Sequence, residues 1–270
     1  MRVGFYQFRP AFGKVSRNLK KVIKALRGAE ADLIVLPELA FSGYYFRDRA
    51  EALALAEDPQ QSDTVDALIR LCREKGFYLV TGFTERKRDK CFNSALLLGP
   101  EGLLHTYRKL HLFNEEKHWF DEGDIPLQVN TVKDARIGIM ICFDWVFPEV
   151  TRVLTLQGTD IICHPSNLVL SYCQQTMLTR CLENRVFAVT ANRYGKDSRP
   201  HGELKFTGRS QVVAPGGELL YRATAQREAL HIVRIDPEAA RDKFITRLND
   251  IVVDRRPEFY SELTNTKERP

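Results

Sequence analysis

Cys142 is the residue of this sequence whose position best suits a nucleophile. It closes an apolar segment, residues 136–142, that is typical of a strand, and a helix is predicted to begin at Pro148. Ligands of open α/β sheets bind at the carboxyl ends of strands, and a nearby helix N-terminus favours negative charge and lowers the pKa of a thiol. Cysteine is also among the most frequently buried residue types, so other residues must support the assignment.

Glu38 and Lys109 are the other two candidates for chemistry. Glu38 follows an apolar run, residues 33–36, and Pro37, so its carboxylate is predicted at the carboxyl end of a buried strand, where a general base could act. Lys109 lies between aromatic and apolar residues after another predicted strand. The ordinary alternatives are an exposed or capping glutamate and a surface lysine whose aliphatic stem covers apolar residues.

Alternating strands and helices are predicted to position these residues. Helical periodicity covers residues 15–26, 65–72, 148–156 and 171–184, and strand patterns occur at residues 2–8, 33–36, 78–83, 94–98, 102–104, 136–142, 160–163, 186–190, 210–213, 218–221 and 230–235. The pattern predicts an α/β fold. No linker or repeat divides the chain, so we expect a single domain over residues 1–247, followed by a tail over residues 248–270.

Composition excludes several classes of protein. The 270 residues are 44% hydrophobic and 28% charged, which is typical of a globular protein and disfavours disorder. No apolar run approaches the length of a membrane span, so no membrane association is predicted. A net charge of +5 is modest, and the basic run at residues 86–90 is interpreted as a solvated turn, so no nucleic-acid partner is expected.

The six cysteines form no CxxC pair, which favours a reducing, cytoplasmic environment over a disulfide framework. His111, Glu115 and His118 were considered as metal ligands, but their spacing fits no standard zinc pattern, so no metal and no cofactor is predicted.

Three segments, residues 37–44, 107–113 and 138–149, resemble in order and spacing the signature segments of the nitrilase superfamily of carbon–nitrogen hydrolases. Further segments at residues 164–167, 182–186 and 254–258 extend the resemblance over essentially the whole chain. The resemblance implies an αββα four-layer sandwich and a catalytic triad of Glu38, Lys109 and Cys142. One departure lies at residues 120–124, where the family often has a proline before Gly123.

The resemblance also implies a mechanism. The thiolate attacks an amide or nitrile carbon, Glu38 transfers protons, and Lys109 with the backbone N–H of Phe143 stabilises the negative charge. A second glutamate beside the lysine orients the substrate in many members; Glu115 and Glu116 are both available, and family spacing favours Glu116. The candidates for pocket walls are Tyr44, Tyr45, Phe46, Trp145, Phe147 and Asn167, with core packing as the alternative for each.

The expected activity is hydrolysis of small linear amides or carbamoyl compounds with release of ammonia, and the alternative is an aliphatic nitrilase. A glutaminase domain feeding a synthetase, a membrane-bound acyltransferase and an inactive binding module are disfavoured, because this chain has neither room for a synthetase nor a membrane span and retains all three triad residues. We also expect a homodimer or a larger even-numbered assembly, formed through the helices at 148–156 and 171–184 and through the tail.

Overall fold

The computed structural model describes residues 1–265. Its strands and helices are, in chain order, β1 Arg2–Gln7, α1 Val15–Leu26, β2 Leu33–Val35, α2 Arg49–Leu55, α3 Asp63–Lys75, β3 Tyr78–Lys87, β4 Lys90–Gly99, β5 Gly102–Arg108, α4 Glu116–Trp119, β6 Val129–Val132, β7 Ala135–Ile139, α5 Pro148–Leu156, β8 Ile161–Ser166, α6 Cys173–Asn184, β9 Phe187–Asn192, β10 Tyr194–Arg199, β11 Gly202–Thr207, β12 Gln211–Val213, β13 Leu219–Arg222, β14 Ala229–Arg234, β15 Phe244–Thr246 and β16 Asn249–Asp250. Short 3-10 helices cover Cys142–Val146, Pro237–Ala240, Pro257–Phe259 and Ser261–Leu263.

Six strands form the first sheet, in the order β14-β1-β2-β3-β4-β5. Strands β1, β2 and β3 are parallel, whereas β4, β5 and β14 pair antiparallel with their neighbours. Alternate residues of β2 and its continuation face opposite sides: Ile34 packs under helices α1 and α3, and Val35 packs towards the second sheet. Helices α1 and α3 contribute Val22, Leu26, Val65 and Leu68 to the outer layer.

The second sheet repeats this plan, in the order β13-β12-β9-β8-β7-β6 with β7, β8 and β9 parallel. Helices α5 and α6 cover it through Val150, Leu154, Met177 and Cys181. Side chains of both sheets share one apolar cluster, in which Val35 and Val80 of the first sheet are grouped with Ile139 and Val189 of the second. The predicted αββα sandwich in a single domain is therefore confirmed.

The strand predicted over residues 136–142 ends earlier, at Ile139. Met140 still donates its N–H to the carbonyl of Cys163 at 3.1 Å, but Cys142 adopts a left-handed φ of 41° and opens a 3-10 helix. A strand cannot continue through such a backbone conformation. Cys142 thus lies on a sharp turn after the strand, and the chain reaches α5 through this turn.

Residues 194–207, to which the sequence pattern assigns neither a helix nor a strand, form the two-stranded hairpin β10–β11. Charged residues occupy its exposed surface, where Lys196 and Glu203 form an ion pair at 2.7 Å, so the segment lacks the apolar run of a buried strand. The basic run at residues 86–90 is exposed and includes the two-residue turn that joins β3 to β4, which agrees with its interpretation as a solvated turn. The short helices α2 and α4 were missed, since they are too short to show a period.

The predicted boundary between residues 247 and 248 falls inside a small hairpin, because β15 and β16 pair across it. Beyond this hairpin the tail forms two 3-10 helices with mostly exposed side chains. The division into residues 1–247 and 248–270 stays a prediction, and its last five residues, 266–270, lie outside the described part of the chain.

Candidate active site

Lys109 lies between two buried carboxylates. Its Nζ atom donates to Oε1 of Glu38 at 2.7 Å and to both carboxylate oxygens of Glu116, at 2.8 and 2.7 Å. All three side chains are fully buried. Tyr44 donates its hydroxyl to Oε1 of Glu116 at 2.6 Å. The interpretation of Lys109 as a surface lysine is thereby excluded.

The loop after β2 holds Glu38 against the neighbouring strand. Gly82 of β3 donates its N–H to the carbonyl of Pro37 at 3.1 Å and accepts from the N–H of Ala40 at 3.3 Å. A Cβ atom at residue 82 would lie 2.3 Å from Cα of Glu38, so only glycine permits this approach. Asn93 of β4 then fixes the carboxylate, donating from Nδ2 to Oε1 of Glu38 at 2.7 Å.

Backbone hydrogen bonds also hold Lys109. Its N–H donates to the carbonyl of Asn93 at 2.9 Å, and its carbonyl accepts from the N–H of Gly123 at 3.0 Å. A side chain at residue 123 would collide with the carbonyl oxygen of Arg108, 2.3 Å from the position of a Cβ atom. The segment in which this sequence lacks the family's proline therefore packs directly against Lys109.

Cys142 is held on its turn from both sides. Asp144 is fully buried, and its Oδ2 accepts from the N–H of Ile141 at 2.8 Å and from the hydroxyl of Tyr107 at 2.7 Å. Its Oδ1 lies 2.8 Å from Nδ1 of His111. On the other side, Nε2 of His164 lies 3.0 Å from the carbonyl oxygen of Cys142. These contacts maintain a left-handed backbone that a residue other than glycine adopts only at a cost in free energy.

Electrostatics in the site favour a protonated thiol at rest. Burial and the nearby carboxylate of Glu38 raise the pKa of Cys142 well above its usual value, and Lys109 with the backbone N–H of Asn167 only partly opposes them. Desolvation of the buried sulfur therefore outweighs the lowering of the thiol pKa that was expected from a helix N-terminus. Burial likewise raises the pKa of Glu116, while the carboxylates of Glu116 and Glu38 raise that of Lys109 against its own burial.

Two cavities, named here outer and inner, share Phe113 and Val169 in their walls, and the inner one is lined by Cys142. The outer one, of about 390 Å³, is lined by Tyr44, Tyr45, Phe46, Arg47, Phe113, Asn114, Glu115, Trp119, Val169, His201 and Leu204. The inner, narrower one is lined by Cys142, Trp145, Asn167, Phe113, Leu168, Val169 and Leu170. Five of the six predicted wall residues thus line a cavity, whereas Phe147 stacks on His111 with ring centroids 3.6 Å apart.

Residues 2–243 match the family described as carbon-nitrogen hydrolase. The chain belongs to this family, the nitrilase superfamily. The family predicted from sequence and its enzyme class, hydrolysis of carbon–nitrogen bonds, are both confirmed.

Relatives within this family include both kinds of enzyme. The chain is 40% identical over 263 residues to a nitrilase of Pyrococcus abyssi (strain GE5 / Orsay), covering 96% of this chain and 99% of that protein. It is 30% identical to an (R)-stereoselective amidase of Pseudomonas sp, and the match covers 95% of this chain and 92% of that protein. Among solved structures, a mutant of the amidase from Nesterenkonia sp. AN1 superimposes with a TM-score of 0.83 at 24% identity, covering 97% of this chain and 99% of that one. That structure is described as showing Michael addition of acrylamide at the active-site cysteine. At that identity the likeness shows the fold alone.

For this carbon–nitrogen hydrolase the geometry distinguishes the two adjacent glutamates. Glu116 opens helix α4 and reaches Lys109, whereas Glu115 is exposed and lines only the outer cavity.

The other two candidate metal ligands also lie apart: His118 is exposed, and His111 contacts Asp144. Within residues 1–265 no group of three or more histidine, cysteine, aspartate or glutamate side chains could hold a metal ion, and no helix is long and apolar enough to cross a membrane.

The sequence alone did not identify Asn93 or Asp144 as residues that hold the site in place. Asn93 directly precedes the strand predicted at residues 94–98, because the strand pattern is clear only from Ser94 onward; β4 in fact begins at Lys90. Asp144 is not among the residues that the sequence predicts for the site. Its position two residues after the cysteine was a usable signal, since a buried carboxylate so close in sequence must bond to backbone donors of the same turn.

Proposed function

We propose that this protein hydrolyses small linear amides or carbamoyl compounds through a cysteine thioester, with Glu38, Lys109 and Cys142 as the catalytic triad. The observation that carries the proposal is the asymmetry of Glu38. Its Oε1 is held by Lys109 and Asn93, whereas its buried Oε2 has no hydrogen-bond partner among the described residues. An oriented carboxylate with one free oxygen is suited to accept a proton.

In the first half of the reaction, Glu38 takes the proton of the Cys142 thiol as sulfur attacks the carbonyl carbon. The raised pKa of the thiol makes this base necessary, because little thiolate forms without it. The nitrogen then leaves as ammonia with the proton returned by Glu38, and a thioester remains on Cys142. In the second half, Glu38 activates a water molecule that hydrolyses the thioester.

Negative charge on the carbonyl oxygen is stabilised by Lys109 and by the backbone N–H of Phe143. The 3-10 helix begins at Cys142, so this N–H belongs to the first turn, where N–H groups have no acceptor within the helix. Glu116 holds Lys109 in place and orients the substrate. Such prearranged donors are commonly the largest contribution to acyl-transfer catalysis.

Two buried oxygen atoms near Cys142 lack a hydrogen-bond donor within residues 1–265, and they favour an amide over a nitrile as the substrate. Besides Oε2 of Glu38, the buried Oδ1 of Asn167 lacks a partner among the described residues, while its Nδ2 donates to the carbonyl of Glu38 at 2.9 Å. The NH₂ group of a primary amide provides two donors for two such oxygens, whereas a nitrile provides none. Asn167, Tyr44 and Trp145 accordingly form the substrate-binding walls of the proposal.

An aliphatic nitrilase is the second candidate, favoured by the 40% identity to the Pyrococcus abyssi protein named nitrilase. The same triad would add the thiol to the nitrile carbon and reach the same thioester after one water has entered and ammonia has left. The two candidates therefore differ in substrate and not in the nucleophile.

Ammonia release from paired compounds of equal chain length, such as propionamide and propionitrile, tests the proposal. We expect faster release from the amide, and added hydroxylamine should divert the thioester to a hydroxamate. Release from the nitrile alone would establish the second candidate. Absence of both activities in folded protein with a reactive Cys142 would contradict the proposed function.

We further propose a homodimer, or a larger even-numbered assembly, formed through α5, α6 and the tail. Val153, Leu156 and Leu182 of these helices are 40%, 41% and 48% exposed, and α5 and the tail border an apolar groove of about 530 Å³. Arg180 of α6 pairs with Glu183 at 3.0 Å, and Arg152 of α5 donates to the backbone oxygen of Glu183.

All six cysteines are unpaired, which supports the proposal of a cytoplasmic location.

A further inference from the structure

His164 is a fully buried histidine that contacts the backbone of the candidate nucleophile. It lies on β8, near the carboxyl end of the strand and beside the point where the chain turns away from β7 at Cys142. Its Nε2 lies 3.0 Å from the carbonyl oxygen of Cys142, and its Nδ1 lies 3.2 Å from the hydroxyl oxygen of Thr190. The mechanism described above assigns no task to this side chain.

These contacts fix the tautomer of the ring. Nε2 also lies 3.1 Å from the hydroxyl oxygen of Ser166, which can accept or donate, whereas the carbonyl oxygen of Cys142 only accepts. Both contacts are hydrogen bonds when Nε2 carries the hydrogen and Ser166 donates to the carbonyl of His164 at 3.3 Å. Nδ1 is then the acceptor for the hydroxyl of Thr190. Burial lowers the pKa of His164 to about 4, so the ring is neutral near pH 7 and keeps this arrangement.

The carbonyl of Cys142 and the N–H of Phe143 belong to one peptide unit. A trans peptide is planar, so its C=O and N–H bonds point in opposite directions and rotate together. A donor that holds the carbonyl oxygen therefore also fixes the direction of the N–H. Hydrogen bonding to the oxygen also polarises the peptide and strengthens the N–H as a donor.

We propose that His164 is a positioning residue that aims the backbone N–H of Phe143 at the oxygen of the tetrahedral intermediate. The inference rests on the proposed function, since that intermediate forms only if Cys142 attacks a carbonyl or nitrile carbon. The ring of His164 contacts the backbone carbonyl of Cys142 and the hydroxyls of Ser166 and Thr190. It acts through the Cys142–Phe143 peptide, whose left-handed φ of 41° at Cys142 would otherwise favour relaxation to another orientation.

The test compares H164L, which lacks the donor, with H164Q, whose amide nitrogen reaches a similar position. Three quantities are measured for each: kcat and KM on the best amide, the affinity for propionaldehyde, and the rate of alkylation of Cys142 by iodoacetamide. The aldehyde forms a thiohemiacetal whose oxygen occupies the oxyanion position, whereas alkylation at a saturated carbon develops no such charge.

For H164L we expect kcat to fall about 100-fold with KM nearly unchanged, as for the loss of one oxyanion donor. Aldehyde affinity should fall about tenfold or more while alkylation changes little, and H164Q should recover most of both losses. The matched control is C163A, which removes a buried side chain from the same strand and should behave like the wild type in all three measurements.

Unchanged aldehyde affinity in H164L would overturn the proposal, as would a parallel loss of alkylation, which would show that His164 places the sulfur instead. If H164L does not fold, H164F takes its place, because its ring fills the space of the imidazole without a donor; aldehyde affinity equal to the wild type would again overturn the proposal. Lack of turnover by the wild type itself would contradict the proposed function and leave the aldehyde and alkylation measurements to decide on His164.

Discussion

The ammonium group of Lys109 lies 2.7 Å from Oε1 of Glu38, and both side chains are fully buried. Glu116 contacts the same ammonium, so one buried cation faces two buried carboxylates. Removal of the lysine would leave two buried carboxylates without a cation.

K109M should abolish turnover and lower the free energy of unfolding by about 3–5 kcal/mol, because it leaves two buried carboxylates without their cation. Urea unfolding and ammonia release measure the two effects. The double variant K109M/E116Q should recover part of the stability and none of the activity. Full stability in K109M would contradict the charge balance inferred here.

C142A should remove turnover by several powers of ten and leave the fold intact, since the loss of a buried sulfur costs only about 1–2 kcal/mol. Circular dichroism establishes folding, and C163A serves as a control for the loss of a buried thiol elsewhere. A folded C142A variant with substantial activity would show that the nucleophile has been assigned to the wrong residue.

E116Q and E115Q form a matched pair of adjacent substitutions. E116Q should lower kcat/KM about 10- to 100-fold, because the amide no longer holds the ammonium of Lys109 as a carboxylate does. E115Q should leave kcat/KM nearly unchanged, since Glu115 is exposed and lies in the outer cavity. Equal effects of the two substitutions would refute the distinction.

Stability should depend on pH through His164. Its folded pKa of about 4 lies below the unfolded value of 6.5, so the unfolded chain binds the additional proton in this interval. The contribution of this histidine to stability is thus fully present above the unfolded pKa and is lost as the pH falls towards 4. Between about pH 7 and pH 4 the wild type should lose about 3 kcal/mol more than H164Q. Identical pH dependence in urea unfolding would show that His164 is not buried as a neutral ring.

Light scattering at micromolar concentration should return at least twice the mass of one chain. Truncation after Asn249 should weaken this assembly, because it removes Tyr260 and Leu263, which line the apolar groove beside α5. A mass of one chain would contradict the proposed dimer. An unchanged assembly after truncation would contradict only the role of the tail.

The sequence by itself determined the main alternation of strands and helices and the identity of the three candidate catalytic residues. Periodicity and turn residues are local properties, so β2, α5 and the β3–β4–β5 strands could be predicted from short segments. The resemblance at residues 37–44, 107–113 and 138–149 added the layered fold, because these segments carry the residues that such a fold must bring together.

Only the tertiary structure decided which polar groups share the site. Glu115 and Glu116 are adjacent and chemically identical, and their roles separate because the first turn of α4 directs only Glu116 towards Lys109. Asn93 and His164 reach Glu38 and Cys142 from strands that are 55 and 22 residues distant along the chain. Contacts of this kind depend on sheet register and on burial, which place distant residues side by side and which no local pattern encodes.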